Sequence, residues 1–276
     1  MQSSSNDRED DSNEESPSRE DLEGDFSAVH TDTLRKYTVN YPEQAAVFEE
    51  MFENMQVLRN TINNSSTTND WYSDQVLVVF RYIAEICRLR YDTQTSTGTV
   101  DSQKMRVLDF AVEIEAAELL QRFAQNYFKD FYEMGGEQEN DNSSLEDKSW
   151  ENCFSCLRRL LETIQNCTDF HDGFCSASAR AGVVAMCLEN ALRLDRENDN
   201  WQSGDDESEP LQLIDVCIGI LHNISRRLRE PKLFVDSEET LLYFAKVKKA
   251  GVAVTALLCL AYLVNEETNH LISASR

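Results

Sequence analysis

The chain has 276 residues, enough for one or two ordinary domains or one short helical array. Its net charge of −24 disfavours nucleic-acid binding, because affinity for phosphates comes largely from clustered Lys and Arg. Hydrophobic residues make up 41%, so a substantial core is possible, while only 9 Gly and 4 Pro occur. A β-rich chain with many tight turns needs more of both, and the composition therefore favours an all-α fold.

The negative charge is concentrated in three segments. Residues 1–25 hold ten Asp/Glu and two Arg, residues 133–151 hold seven acids and one Lys, and residues 195–210 hold seven acids and one Arg. Residues 1–30 are almost free of apolar side chains and cannot offset chain entropy, so we expect a disordered acidic tail. Residues 31–276 then form one helical repeat domain, with acidic loops near 133–148 and 195–210.

Helical periodicity begins at Pro42, a residue that suits the first turn of a helix because its missing N–H costs nothing there. Apolar residues then recur every three or four positions in eight segments separated by polar runs. The predicted helices cover, in chain order, residues 42–62, 71–89, 102–133, 149–167, 176–194, 211–229, 237–248 and 250–265.

Targeting signals are weak in this sequence. The N-terminus lacks the apolar core of a secretory signal, which predicts a cytoplasmic protein whose eight Cys are mostly free thiols. The longest apolar run, residues 250–264, has 15 residues, whereas a membrane span needs about 20. We therefore expect this run to be a buried helix.

Four of the helical segments share one apolar spacing followed by a polar exit. Their offsets are 81, 57 and 39 residues, and the last is close to the repeat length of helical solenoids, roughly 40–47 residues. Units of this kind bury their apolar faces only against neighbours, and they present an extended surface to partners. The segments are residues 83–86, 164–167, 221–224 and 260–263.

Three of these segments resemble the third helix of armadillo repeats. LHNIS at 221–225 is the closest match, and IQNCT at 164–168 matches next. It is followed by ARAGVVAMCLENAL at 179–192, which is similar to the exit segment of the motif, Ala-Gly followed by apolar residues. LAYLVNEETNHLI at 260–272 keeps the Asn-rich exit. The resemblance covers roughly residues 70–276 and implies a right-handed α-solenoid.

The resemblance also implies a function. In armadillo repeats an Asn lines the groove that binds partners, and Asn166 and Asn223 match it, whereas Tyr262 replaces it in the last segment. A non-catalytic protein-interaction or scaffold module follows. The last segment is also similar to armadillo-like regions that precede TIR domains in some invertebrate proteins. This implies the alternative of a regulatory or autoinhibitory arm of a larger signalling enzyme.

Metal and catalytic chemistry have little support. Cys153-x-x-Cys156, with Cys167, His171 and Cys175 nearby, has the spacing of a zinc knuckle. Cys153 also falls in a helical run of leucines, where a free Cys packs as a small hydrophobe, and we favour packing over metal binding. No nucleophile elbow, phosphate loop or metalloprotease motif occurs, so we expect neither catalysis nor a cofactor.

The predicted contact surface for a protein partner combines the repeat exits with the only basic stretch. These basic residues have two explanations. One is that they simply solvate a helix end and a loop, and the other is that they dock an acidic partner. On either reading Arg226 and Arg227 lie at an exposed helix end, so losing both should cost little stability. The candidate partner-binding residues are Asn166, His222, Asn223, Arg226, Arg227, Arg229 and Lys232.

Overall fold

The protein is all-helical, as its composition predicts. A computed structural model describes residues 19–64, 71–88, 99–135, 146–198, 202, 208–234 and 237–263, and these ranges contain no β-strand. Short 3-10 helices lie at Pro42–Gln44 and Pro231–Phe234. The α-helices in these ranges are α1 (Arg19–Asn40), α2 (Ala45–Asn64), α3 (Asp74–Arg88), α4 (Thr99–Glu113), α5 (Ala116–Gly135), α6 (Glu146–Phe170), α7 (Asp172–Arg180), α8 (Val183–Glu197), α9 (Glu209–Leu228), α10 (Glu238–Phe244) and α11 (Ala250–Leu263).

Helices that are distant in the sequence pack in a regular order. The helices α3, α6, α9 and α11 contact one another in succession, and they carry the four segments with the shared apolar spacing. Each also packs against the α-helix before it, so that α2, α5, α8 and α10 each contact one helix of this series. The helices α1, α4 and α7 also contact each other in succession.

Aromatic side chains fill the core at the N-terminal end. Tyr37, Phe48 and Phe110 join α1, α2 and α4, with ring centroids 5.1–5.2 Å apart. Trp71 packs on Phe123 of α5 with centroids 4.5 Å apart. Edge-to-face and tilted ring pairs add to the free energy gained by burial.

Two helices predicted as continuous are broken. The predicted helix 102–133 divides into α4 and α5 at Glu115, which has a φ of 63°. The predicted helix 176–194 divides into α7 and α8 at Gly182, which has a φ of 86°. A left-handed residue ends one helix and redirects the chain, and nothing in the apolar periodicity marks such a position.

The N-terminal boundary also differs from the predicted one. The helix α1 begins at Arg19, inside the segment for which we expected a disordered tail, and continues to residues that pack on the core, such as His30 and Tyr37. Residues 1–18 lie outside the described residues, as do residues 136–145 and most of 199–207 in the two predicted acidic loops.

The most apolar helix is α11, which covers 14 residues of the run that we considered as a membrane span. Within the described ranges, no helix is both long enough and apolar enough to cross a bilayer. The inner side of α11 is buried, with Cys259 and Leu260 among its core residues.

Leu221 of α9 and Leu260 of α11 occupy equivalent positions, and both are buried. We expect Leu221→Ala or Leu260→Ala to lower the free energy of unfolding by about 2–5 kcal/mol, because a cavity replaces packed methyl groups. Urea denaturation of each variant measures this loss. A Leu221→Ala variant that unfolds at the wild-type midpoint would contradict the packing of α9.

His30 should make stability depend on pH. Burial and the neighbouring Arg59 lower its pKa from 6.5 to about 4. The unfolded chain therefore takes up a proton below pH 6.5 that the folded state does not, and this contribution to stability is lost as the pH falls from 6.5 towards 4. The loss has a maximum slope of about 1.4 kcal/mol per pH unit. His30→Gln should flatten the fall in unfolding free energy over this range, whereas parallel curves for the two proteins would refute the assignment.

Candidate protein-interaction surface

Asn223 joins two helices of the α3–α6–α9–α11 series. Its side chain is buried, and Nδ2 donates to the backbone carbonyl of Gln165 on α6 at 3.0 Å. The same nitrogen lies 3.5 Å from the Thr168 hydroxyl. A buried amide needs such partners, so Asn223 stabilises the packing of α9 on α6.

Arg226 and Arg227 bind the end of α6. Arg226 Nη2 donates to Asp169 Oδ1 at 2.5 Å, and Arg227 Nε donates to the Asp169 carbonyl at 2.8 Å. Arg227 Nη1 also donates to Asp172 Oδ1, in the first turn of α7, at 2.6 Å. The last carbonyls of a helix lack partners within it, and cations are favourable there.

These contacts correct one expectation from the sequence. Arg226 and Arg227 are partly buried and hydrogen-bonded, because the C-terminal ends of α6 and α9 lie side by side. They are therefore not a simple exposed helix end, and much of their charge is neutralised by two aspartates.

Asn166 lines an open groove between α3 and α6, with a volume of about 470 Å³. Asp169 lines the same groove one turn further along, beside Arg81 and Glu85 of α3. The groove is polar and carries both signs of charge. Asn166 is therefore accessible from a groove, whereas Asn223 is buried.

The other predicted residues lie near α11. The ring of His222 is partly buried 5.8 Å from the ring of Tyr262, and burial, followed by the nearby Arg226, lowers the pKa of His222. Arg229 is exposed in a left-handed conformation after α9, and its guanidinium carbon lies 5.7 Å from the centre of the Tyr262 ring. Lys232 is also exposed.

These contacts connect most of the predicted residues into one surface, which we call the α6–α9–α11 face. Asp169 links the groove to Arg226, His222 precedes Arg226 by one helical turn, and Tyr262 lies against both His222 and Arg229. Sequence reasoning missed Asp169, which has no place in the motif. The face comprises Asn166, Asp169, His222, Arg226, Arg229 and Tyr262.

A second groove, between α5 and α8, was not predicted. It has a volume of about 580 Å³, and its two helices contact the α3–α6–α9–α11 series without belonging to it. The Arg193 guanidinium lies 3.5 Å from the centre of the Tyr132 ring, and the Tyr132 hydroxyl donates to the Asn190 carbonyl at 3.4 Å. These contacts hold α5 and α8 together along the groove.

The cysteines of the possible zinc knuckle are packed in the core. Cys153 and Cys156 are buried, and burial raises their pKa values to about 12 and about 11. The Tyr72 hydroxyl donates to Cys153 Sγ at 3.2 Å. Within the described ranges, no three His, Cys, Asp or Glu side chains are grouped so that they could hold a metal ion.

His171 serves as a structural residue. Its Nδ1 accepts from the Phe174 N–H at 2.9 Å and begins α7, while Nε2 lies 3.0 Å from Asp109 Oδ1. With Nδ1 accepting, Nε2 is the nitrogen that donates to the carboxylate. Both ring nitrogens are therefore committed to holding the α6–α7 junction against α4.

No family model, curated protein or solved structure matches this chain.

The contacts of Arg227 generate a prediction. Arg227→Ala should lower the unfolding free energy by about 1–3 kcal/mol, because the Asp169 carbonyl keeps only the longer contact from Arg226 and Asp172 loses its guanidinium partner. Arg227→Lys should recover only part of this loss, since an ammonium group lacks the planar fork of donors. Lys232→Ala is the control for loss of a basic residue, and its effect should stay within about 0.5 kcal/mol. Equal denaturation midpoints for Arg227→Ala and Lys232→Ala would contradict the structural role of Arg227.

Proposed function

We propose that this chain is a non-catalytic protein-interaction module, built as a right-handed α-solenoid of armadillo-like repeats. Each repeat would contribute one helix to the α3–α6–α9–α11 series, and the α6–α9–α11 face would form part of the surface that contacts a protein partner. A cytoplasmic location is part of the proposal, because eight buried free thiols suit a reducing compartment.

The observation that carries the proposal is the order of helix packing. The four segments with matching apolar spacing lie on helices that are neighbours in space, although 39 to 81 residues separate them in the sequence. Stacking of one repeated unit on the next produces this relation, and stacked arrays offer extended surfaces that serve in binding.

The charge distribution supports an acidic partner. Residues 222–263 hold seven Lys/Arg and four Asp/Glu, whereas the whole chain has a net charge of −24. Because Arg226 and Arg227 are paired with Asp169 and Asp172, Arg229 and Lys232 are the better candidates to attract a partner. Complementary charges increase the rate of association and select among partners.

A binding titration tests this function. A partner recovered by affinity capture with the full chain is purified and titrated against the wild type and an Arg229→Ala/Lys232→Ala variant. We expect weaker binding by the variant, with the larger difference at low salt, because screening is then least. Arg35→Ala is the matched control, since Arg35 is a highly exposed cation on α1. If no protein binds the intact chain specifically, the proposed function is wrong.

A further inference from the structure

The outer side of α11 exposes a row of apolar side chains. Val254, Leu257 and Leu258 are 56%, 52% and 42% exposed, and Ala261 is exposed beside them. Their spacing places all four on one side of the helix. Single exposed apolar residues are ordinary, but a group on one helix face marks a contact surface. We call this group the α11 stripe.

The alignment of α9 with α11 explains why the stripe is exposed. With Leu221 matched to Leu260, Ile218 corresponds to Leu257 and His222 to Ala261. Ile218 is completely buried, its carbonyl 3.9 Å from Cys259 Sγ of α11, and His222 packs near Tyr262 of α11. Ile218 and His222 thus lie on the side of α9 that faces α11. Of the other two counterparts, Gly219 (matched to Leu258) faces Gln165 of α6, and Asp215 (matched to Val254) is exposed.

The preceding contact in the series follows the same rule. Gln165 of α6 corresponds to His222 and Ala261, and its carbonyl accepts from Asn223 of α9. At Gln165 of α6 and at His222 of α9 this side lies against the next helix, whereas on α11 it is the exposed, apolar side.

The charges around the stripe identify the kind of helix that fits. From Ala250 to Leu263 the helix has no charged residue. Exposed Lys248 precedes it, with Asp215 of α9 close to Gly251, and Arg229 lies beside Tyr262 near its other end. An apolar face with acidic residues at both ends of a partner helix complements this arrangement. A second copy that paired face to face would instead bring two basic ends together.

We propose that the α11 stripe is the docking site for an amphipathic helix of a protein partner that carries acidic residues at both ends. The inference rests on the proposed function and names the partner class for one part of its surface. Leu257 contributes the central apolar contact, and Lys248 and Arg229 orient the partner through its acidic ends.

The test uses a fluorescent synthetic peptide of about 18 residues, long enough to form an isolated helix. It has Leu at the spacing of one helix face, Glu at both ends, and Ala and Gln elsewhere. One control peptide has the same composition with its Leu residues scattered around the helix, and another has Lys in place of Glu. Binding to the full chain is followed by fluorescence anisotropy at low and high salt.

A matched pair of variants locates the binding site. Val254→Glu disrupts the stripe, and Val78→Glu on α3 changes a valine of almost equal exposure, 55%. We expect saturable binding of the acidic peptide to the wild type and to Val78→Glu. The dissociation constant should rise at least about tenfold in Val254→Glu. Both control peptides should bind more weakly, and binding of the acidic peptide should decrease with added salt.

Several results would overturn the proposal. Equal binding by the two variants, or by the peptide with scattered Leu, would remove the stripe as a docking site. A dimer in sedimentation equilibrium that Val254→Glu dissociates would identify a second copy as the occupant. Tighter peptide binding by Leu271→Ser/Ile272→Ser would identify residues 264–276 of the chain itself.

The same variants separate this proposal from the proposed function. If the purified partner binds Val254→Glu as well as the wild type but loses affinity for Arg229→Ala/Lys232→Ala, the interaction function stands and the docking site falls. If no partner binds the intact chain while the peptide still binds the stripe specifically, the stripe stands as a site that binds a helix and the proposed interaction function falls.

Discussion

The packing of α6 against α9 is the contact on which the rest of the molecule depends. It combines buried apolar side chains with directional polar contacts: Asn223 reaches the Gln165 carbonyl, and the arginines of α9 reach the end of α6. Gly219 allows the Gln165 side chain to approach, because a Cβ there would overlap its amide. Apolar burial supplies most of the free energy, while these directional contacts define the register between the two helices.

The same contact changes how the basic residues of α9 should be understood. In a linear sequence Arg226, Arg227 and Arg229 form one cationic cluster, but in the folded chain they divide by role. The first two neutralise Asp169 and Asp172 and hold the α6–α7 junction, whereas Arg229 extends towards Tyr262 and solvent. A patch that looks suited to an acidic partner is thus partly used for folding, and the cations available for binding lie closer to α11.

The end of the chain around α11 has an exposed apolar stripe and flanking cations, and the two would act differently in binding. Apolar contact supplies affinity but little selectivity, whereas flanking charges select and orient a partner at small cost. The α11 stripe and its neighbouring cations combine both in a chain that is otherwise strongly acidic. The grooves beside α6 and between α5 and α8 are lined mostly by polar and charged residues instead.

The sequence alone determined the helical class, the four matching segments and the burial of residues such as Leu221 and Leu260. These follow from low Gly and Pro content and from local periodicity, which is set by the geometry of a single helix. It did not reveal the breaks at Glu115 and Gly182, because a left-handed residue is selected by the packing on both sides of it. It also could not show that Asn223 is buried while Asn166 lines a groove.

Both asparagines occupy similar positions in their motifs, and only the neighbouring helices distinguish them. The roles of Asp169 and Tyr262 were decided in the same way. Asp169 lies outside the motif, Tyr262 replaces the Asn of its segment, and each matters through side chains 33 or more residues away. Local patterns specify which side of a helix is apolar. Which partner each side meets, and which polar groups are left for binding, is decided only when the helices pack.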